Sequence, residues 1–384
     1  MLDETAYEEL DKRLAPVDAE LRRRYAGEPY ARQPVHTLAV PADLFGPGVL
    51  REYGRLVRRT VAEHGPLPFE PEIIARVLDK LDREPVEDLR IDFADGYGVR
   101  DDAEEDAAAR STANALRSGD CPPFFGLRCK SLEWPTRRRA VRTLDLFLDA
   151  LGPPAPGFVI TLPKVSMVEQ VEAMVVLCGQ LESAHGLPDD SLRFEVQFET
   201  PLAVLGADRL ATVALLIRAA AGRCVGLLCG TQESSTGVGI AAEFADSDHP
   251  ASSYAKALAQ VAVTGTGIRL SDGPSQVLPV GDTAAVQTAW DAHAGLVRQS
   301  LRRGFYHGWD THPAQLPTRF GATYAFFHEA APAAANRLGR LLSRSGTTEP
   351  GTTRALARFL LRGLDCGALD ESSLDFDRSA LVNL

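Results

Sequence analysis

The sequence contains no C-x-x-C pair. Its six cysteines (Cys121, Cys129, Cys178, Cys224, Cys229 and Cys366) are scattered along 384 residues, which argues for reduced, buried thiols and against a disulfide framework or a zinc site. No apolar run approaches the roughly 20 residues that cross a bilayer, so no membrane partner is expected. A basic surplus is also missing: 41 Lys and Arg face 52 Asp and Glu, a net charge of −11. That balance argues against nucleic acid or an anionic lipid surface as partner, and leaves small anionic molecules open. The start, Met-Leu-Asp-Glu, is acidic and lacks the apolar centre of a signal peptide, so a cytoplasmic location is expected. No G-x-G-x-x-G follows an early strand, which removes the main signal for an open dinucleotide-binding sheet.

What is present is a large apolar fraction, 45%, and two short apolar runs that end in carboxylates. Val196-Gln197-Phe198-Glu199-Thr200 is one. Cys224-Val225-Gly226-Leu227-Leu228-Cys229, running into Gly230-Thr231-Gln232-Glu233, is the other. Between them Ala203 to Ala220 has helical spacing, so the unit reads strand, helix, strand, with both acids at the same end of a parallel sheet. Neighbouring parallel strands lie about 4.8 Å apart, close enough for Glu199 and Glu233 to share a cation. Two carboxylates with water and substrate oxygens suit Mg²⁺ or Mn²⁺. The competing reading makes both ordinary acids at helix N-termini, favoured by the helix dipole.

Eight strand positions alternate with helices. They are 36–40, 88–93, 124–128, 158–162, 194–198, 224–229, 267–270 and 304–308. This pattern predicts a (β/α)₈ TIM barrel over 35–320, with an N-terminal helical extension over 1–34 and a C-terminal helical tail over 321–384. The N-terminal helix is expected to be interrupted near Pro16. Ser166-Met167-Val168-Glu169 has capping-box spacing. The tail reads as helices 324–342 and 353–364, and the last twenty residues as extended or loosely ordered. Two amphipathic tail helices with no strand left to cover predict a homo-oligomer, with the tail across the barrel mouth or on a neighbouring copy.

In order along the chain, the strand ends read Asp92-Phe93-Ala94-Asp95, Leu127-Arg128, Pro163-Lys164-Val165, Glu199-Thr200, Gly230-Thr231-Gln232-Glu233 and Thr311-His312-Pro313. This series resembles the citrate lyase β-subunit family of the pyruvate- and phosphoenolpyruvate-binding barrels. Gln197-Phe198-Glu199 is also similar to the Gln-x-Glu of the HpcH/HpaI-type class II pyruvate aldolases. Two positions depart from the family pattern. Ala94 stands where a Glu is usual, and Glu233 where an Asp is usual.

The resemblance implies a Mg²⁺-dependent carbon–carbon lyase or aldolase. It would act on an oxo-acid or a hydroxy-acyl-CoA thioester through a metal-stabilised enolate. Glu199 and Glu233 would hold the ion, and Arg128 would clamp a substrate carboxylate. Asp92 and Asp95 would carry a proton or orient water, and Gln197, Lys164 and His312 would contact substrate. Each has a plainer role open to it: Arg128 as an ion pair closing the barrel, Asp95 as a turn residue beside Gly96, Lys164 as a solvated lysine, His312 as a helix cap. The two departures leave room for a decayed barrel that binds an oxo-acid or regulates without turnover, and for other chemistry of the same superfamily.

Overall fold

The computed structural model describes residues 3–24, 31–119, 121–207, 209–230, 237–241, 244, 249–343 and 350–384. Eight parallel strands close into a barrel: β1 (His36–Pro41), β2 (Asp88–Asp92), β3 (Phe124–Arg128), β4 (Phe158–Val165), β5 (Arg193–Phe198), β6 (Cys224–Cys229), β7 (Arg269–Asp272) and β8 (His307–Asp310). Each pairs with its successor, and β8 closes on β1 through His36 opposite Gly308 and Leu38 opposite Asp310. Alternation along each strand turns Leu38, Leu89, Ile91, Leu127, Ile160 and Val196 outward onto the helices, where all are fully buried. Each such side chain contributes about 1.5–3 kcal/mol of burial.

The other strand face is charged. Arg90 of β2, fully buried, donates to Asp88, to Thr161 Oγ1 at 3.1 Å and to Glu195 Oε1 at 3.1 Å. Arg269 of β7 approaches Glu195 at 3.4 Å and Asp88 at 3.7 Å. Two guanidiniums and two carboxylates therefore neutralise one another in the barrel interior.

Several elements differ from expectation. The N-terminal helix Glu4–Arg24 runs unbroken through Pro16. The expected 203–220 helix is two, Pro201–Val204 and Thr212–Ala219, separated by a bridge from Leu205 to Ala211 and by Arg209 in the left-handed region. The capping box at Ser166 is displaced by one residue. Helix Val168–His185 begins after Met167, and Gln170 Oε1 accepts the Ser166 and Met167 N–H groups, while the Ser166 hydroxyl pairs with Thr200. β7 and β8 each begin later than expected, at Arg269 and His307.

The helix expected from Tyr324 starts at Leu316 and continues to Leu342, covering the barrel after β8. Helix Pro350–Asp365 packs on it, with Leu360, Leu361 and Cys366 buried. The last twenty residues are not extended: they form the short helices Glu371–Ser373 and Arg378–Val382. Among the described residues the tail does not cross the barrel mouth. It shares a cavity with Val35, Arg269 and His307, at the N-terminal ends of the strands.

Candidate active site

Arg128 organises the C-terminal mouth. It ends β3 directly opposite Asp92 of β2 and Thr161 of β4 in register, and its side chain is 8% exposed. Nε donates to Gln197 Oε1 at 2.9 Å, Nη2 to Asp95 Oδ2 at 2.7 Å, and Nη1 to Asp92 Oδ2 at 3.4 Å. Burial works against its charge, but Asp92, Asp95 and Glu199 outweigh burial and raise its pKa above the ordinary value. The guanidinium is thus permanently charged and aimed by three partners.

Asp92 is occupied by its own turn. Oδ1 accepts the Ala94 N–H and Oδ2 the Gly96 N–H, both at 2.8 Å. A Cβ on Gly96 would lie 2.6 Å from Asp92 Oδ2, so this clasp needs glycine there. Asp95 reaches the opposite way, with Oδ1 accepting from Lys164 Nζ at 2.9 Å. Burial would raise the Asp95 carboxyl, yet Arg128 and Lys164 together hold it below the usual carboxylate range.

Lys164 arrives through an irregularity in β4. Pairing with β5 shifts register between Leu162 and Val165, and Lys164 takes φ +57°. A non-glycine residue in that region costs on the order of 1–3 kcal/mol and persists only where its surroundings hold it. Here the excursion delivers Nζ to Asp95.

Gln197 bridges the guanidinium to the carboxylate of Glu199, its Nε2 donating to Glu199 Oε2 at 2.6 Å. Glu199 is 3% exposed. A Cβ on Gly230, at the end of β6, would lie 2.5 Å from Glu199 Cβ. The glycine therefore lets β6 approach close enough to wall in the carboxylate. Glu233 lies outside the described residues, as do Thr231 and Gln232. Among the described residues no three His, Cys, Asp or Glu side chains cluster to hold a metal. Mg²⁺ commonly takes one or two carboxylates and completes its shell with water and substrate oxygens. Glu199, buried and close enough to Arg128 to raise its pKa, fits as one such ligand.

His312, after β8, caps the short helix Pro313–Gln315: Nδ1 accepts the Ala314 N–H at 3.2 Å. The proton of the neutral ring then sits on Nε2. Burial lowers the His312 pKa, which keeps the ring neutral.

One ion pair was missed in the sequence. Lys256 Nζ lies 2.7 Å from Asp272 Oδ1 at the end of β7 and over the Phe305 ring. Gly273 N–H and the Ser300 hydroxyl also donate to Asp272. The signal was a lone lysine within Tyr254-Ala255-Lys256-Ala257-Leu258, where a small apolar helix face surrounds one cation.

The fold is similar to solved structures of a citrate lyase from Burkholderia xenovorans LB400 (20% identity, TM-score 0.60, 83% of this chain and 97% of that one). It is also similar to the protein CitE from Mycobacterium tuberculosis, solved with magnesium, acetoacetate and coenzyme A (16% identity, TM-score 0.55, 88% and 99%). Haloferax volcanii malate synthase is a third (12% identity, TM-score 0.52, 87% and 90%). The resemblance expected from the strand ends is borne out at the level of the barrel. No curated protein matches the sequence. The sequence profile of the family DUF6986, described as a domain of unknown function, matches residues 14–381.

Proposed function

We propose a carbon–carbon lyase or aldolase acting on an oxo-acid or its hydroxy-acyl-CoA thioester, from the premise that this chain belongs to the DUF6986 family and shares the barrel of CitE. The observation that carries this reading is the Arg128–Gln197–Glu199 chain of side chains at the C-terminal mouth, where barrel enzymes place their chemistry. Arg128 would receive the substrate carboxylate, since a guanidinium with five N–H groups is suited to bidentate pairing and Gln197, Asp92 and Asp95 take one each from Nε, Nη1 and Nη2. Gln197 fixes the distance between that anion site and Glu199. Glu199, with Glu233 as its proposed companion, would hold a divalent cation, which supplies Lewis-acid polarisation of the substrate oxo group.

In cleavage, the hydroxyl oxygen gives its proton to a base and becomes a carbonyl oxygen as the carbon–carbon bond breaks, the bonding pair passes to the carbon beside the existing carbonyl, and a proton returns there. Asp95 is a poor carrier of that proton. A carboxyl held below its usual range is ionised near neutrality and weakly basic, so Asp95 is a positioning residue for Arg128 and Lys164. His312 offers Nε2–H as a neutral donor to a substrate oxygen. We also propose that the chain works as a homo-oligomer in solution, which light scattering at micromolar concentration checks; a monomer there overturns that part.

The test pairs Glu199→Gln with Arg128→Lys, each assayed for Mg²⁺-dependent thermal stabilisation, oxo-acid binding and cleavage. Glu199→Gln should remove the metal response and turnover together. Arg128→Lys should keep the metal response and weaken oxo-acid binding by about tenfold or more, because an ammonium makes no fork contact. Full activity in Glu199→Gln overturns the proposal. Ala94, where related barrels carry a carboxylate, favours a second reading as an oxo-acid-binding protein. Saturable binding without turnover in the unmodified protein decides for it.

A further inference from the structure

Beneath the barrel, at the end away from the mouth, lies a cavity of about 570 Å³, within the range of small-molecule sites. The starts of β1, β7 and β8 form its roof, and helix Pro350–Asp365 forms one wall. Arg354, Arg358 and Arg362 line that wall at four-residue spacing, which stacks three guanidiniums along one helix face. Arg362 is fixed over the Tyr306 ring, 4.3 Å from its centroid. The acid in the lining, Asp365, is paired with Arg378. Arg269 reaches the cavity from the roof, but its charge is met by Asp88 and Glu195. Among the described residues no carboxylate pairs with Arg354 or Arg358, which thus face the space as cations in a chain whose net charge is −11. A concave, partly desolvated wall concentrates that potential on an anion. Ile268, Phe327 and Leu361 add apolar surface to the lining, beside the polar Gln33, Gln260, Thr264 and His307.

We propose that this cavity is a second binding site, for a small amphipathic acid whose carboxylate or phosphate monoester head meets Arg354 and Arg358 while its apolar body lies against Ile268, Phe327 and Leu361. The site is separated from the mouth by the ionic layer of Arg90, Asp88, Glu195 and Arg269, and it stands whether or not the mouth is catalytic. Arg358 is the discriminating residue: it is part-exposed on a helix, and no hydrogen bond or ion pair holds it among the described residues.

Titration calorimetry with octanoate, octyl phosphate, 1-octanol and inorganic phosphate tests the assignment on the full chain. At least one amphipathic acid should saturate one site per chain below about 1 mM, with octanol and inorganic phosphate binding at least about tenfold more weakly. Comparison of octanoate with octyl phosphate identifies the preferred head. The double variant Arg354→Gln/Arg358→Gln, with its fold verified by circular dichroism, should lose about tenfold or more in affinity, while Glu199→Gln binds as the unmodified protein does. Absence of saturable binding by both acids, unchanged affinity in the double variant, or loss of binding in Glu199→Gln each overturns the proposal, the last by moving the probe to the mouth.

Discussion

At the scale of single residues, the mouth depends on one missing methyl group as much as on its charges. Gly230 leaves the space that Glu199 occupies: a Cβ there would meet Glu199 Cβ at 2.5 Å and Oε2 at 2.9 Å. Gly230→Ala should therefore displace the carboxylate and cost about 1–3 kcal/mol by overpacking, read by urea denaturation. Its Mg²⁺-induced stabilisation should fall with Glu199 itself untouched. An alanine variant of wild-type stability and full metal response would mean that Glu199 is not held against β6. Asp95→Asn separates positioning from stability in the same way. Its carboxylate is half exposed, so the two ion pairs are worth no more than about 1 kcal/mol. Yet it aims both Arg128 and Lys164. The substitution should raise KM for an oxo-acid severalfold while chemical stability moves little. A large stability loss with unchanged KM would make Asp95 a structural residue only.

At the scale of elements, β1 to β6 were legible because apolar or alternating runs end at strong punctuation, as at Pro41, or at the acids Asp92 and Glu199, although β4 runs past its expected end at Pro163 to Val165. β8 was not legible. His307-Gly308-Trp309-Asp310 carries no branched aliphatic residue, and the aromatic pair Phe305-Tyr306 just before it drew the expectation three residues early. The break after Val204 was hidden because apolar residues keep helical spacing through Leu205 and Leu210, although the chain turns there. Arg128, Gln197 and Glu199 were legible as a series of strand ends. Their mutual contacts were not, since the Lys164 excursion and the Gly230 approach are properties of backbone paths. Least visible was the interior ionic layer. Asp88-Leu89-Arg90 reads as an ordinary half-exposed strand, yet Arg90 is fully buried. Removing it leaves Asp88 and Glu195 to share the more distant Arg269. Arg90→Met should cost about 3–5 kcal/mol, measured by denaturant unfolding, and a loss below 1 kcal/mol on the same scale would show the two acids to be neutral or hydrated.

At the scale of the whole molecule, buried histidines tie stability to pH. His36 is fully buried, and its Nε2 accepts the Glu87 N–H at 3.3 Å, so the ring is neutral. Burial lowers its pKa to about 4, against about 6.5 in an unfolded chain. Burial likewise lowers His293 and, more strongly, His307. Between those limits the unfolded state binds protons that the folded state refuses. Stability is therefore fully present above about pH 6.5 and declines as pH falls toward the folded value. For His36 alone the loss is about 2 kcal/mol at pH 5, from 1.5 pH units at about 1.36 kcal/mol each. His293 and His307 act in the same direction. The acids whose carboxyls are held low, Glu195 and Asp310 among them, add their losses only below the carboxylate range, so the first stage belongs to the histidines. Urea unfolding at intervals from pH 7.5 to pH 5 should show a steady fall of at least about 2 kcal/mol. A flat profile would mean that these rings are protonated or hydrated in the folded barrel, and that the polar layers around β1 and β8 are wetter than their burial implies.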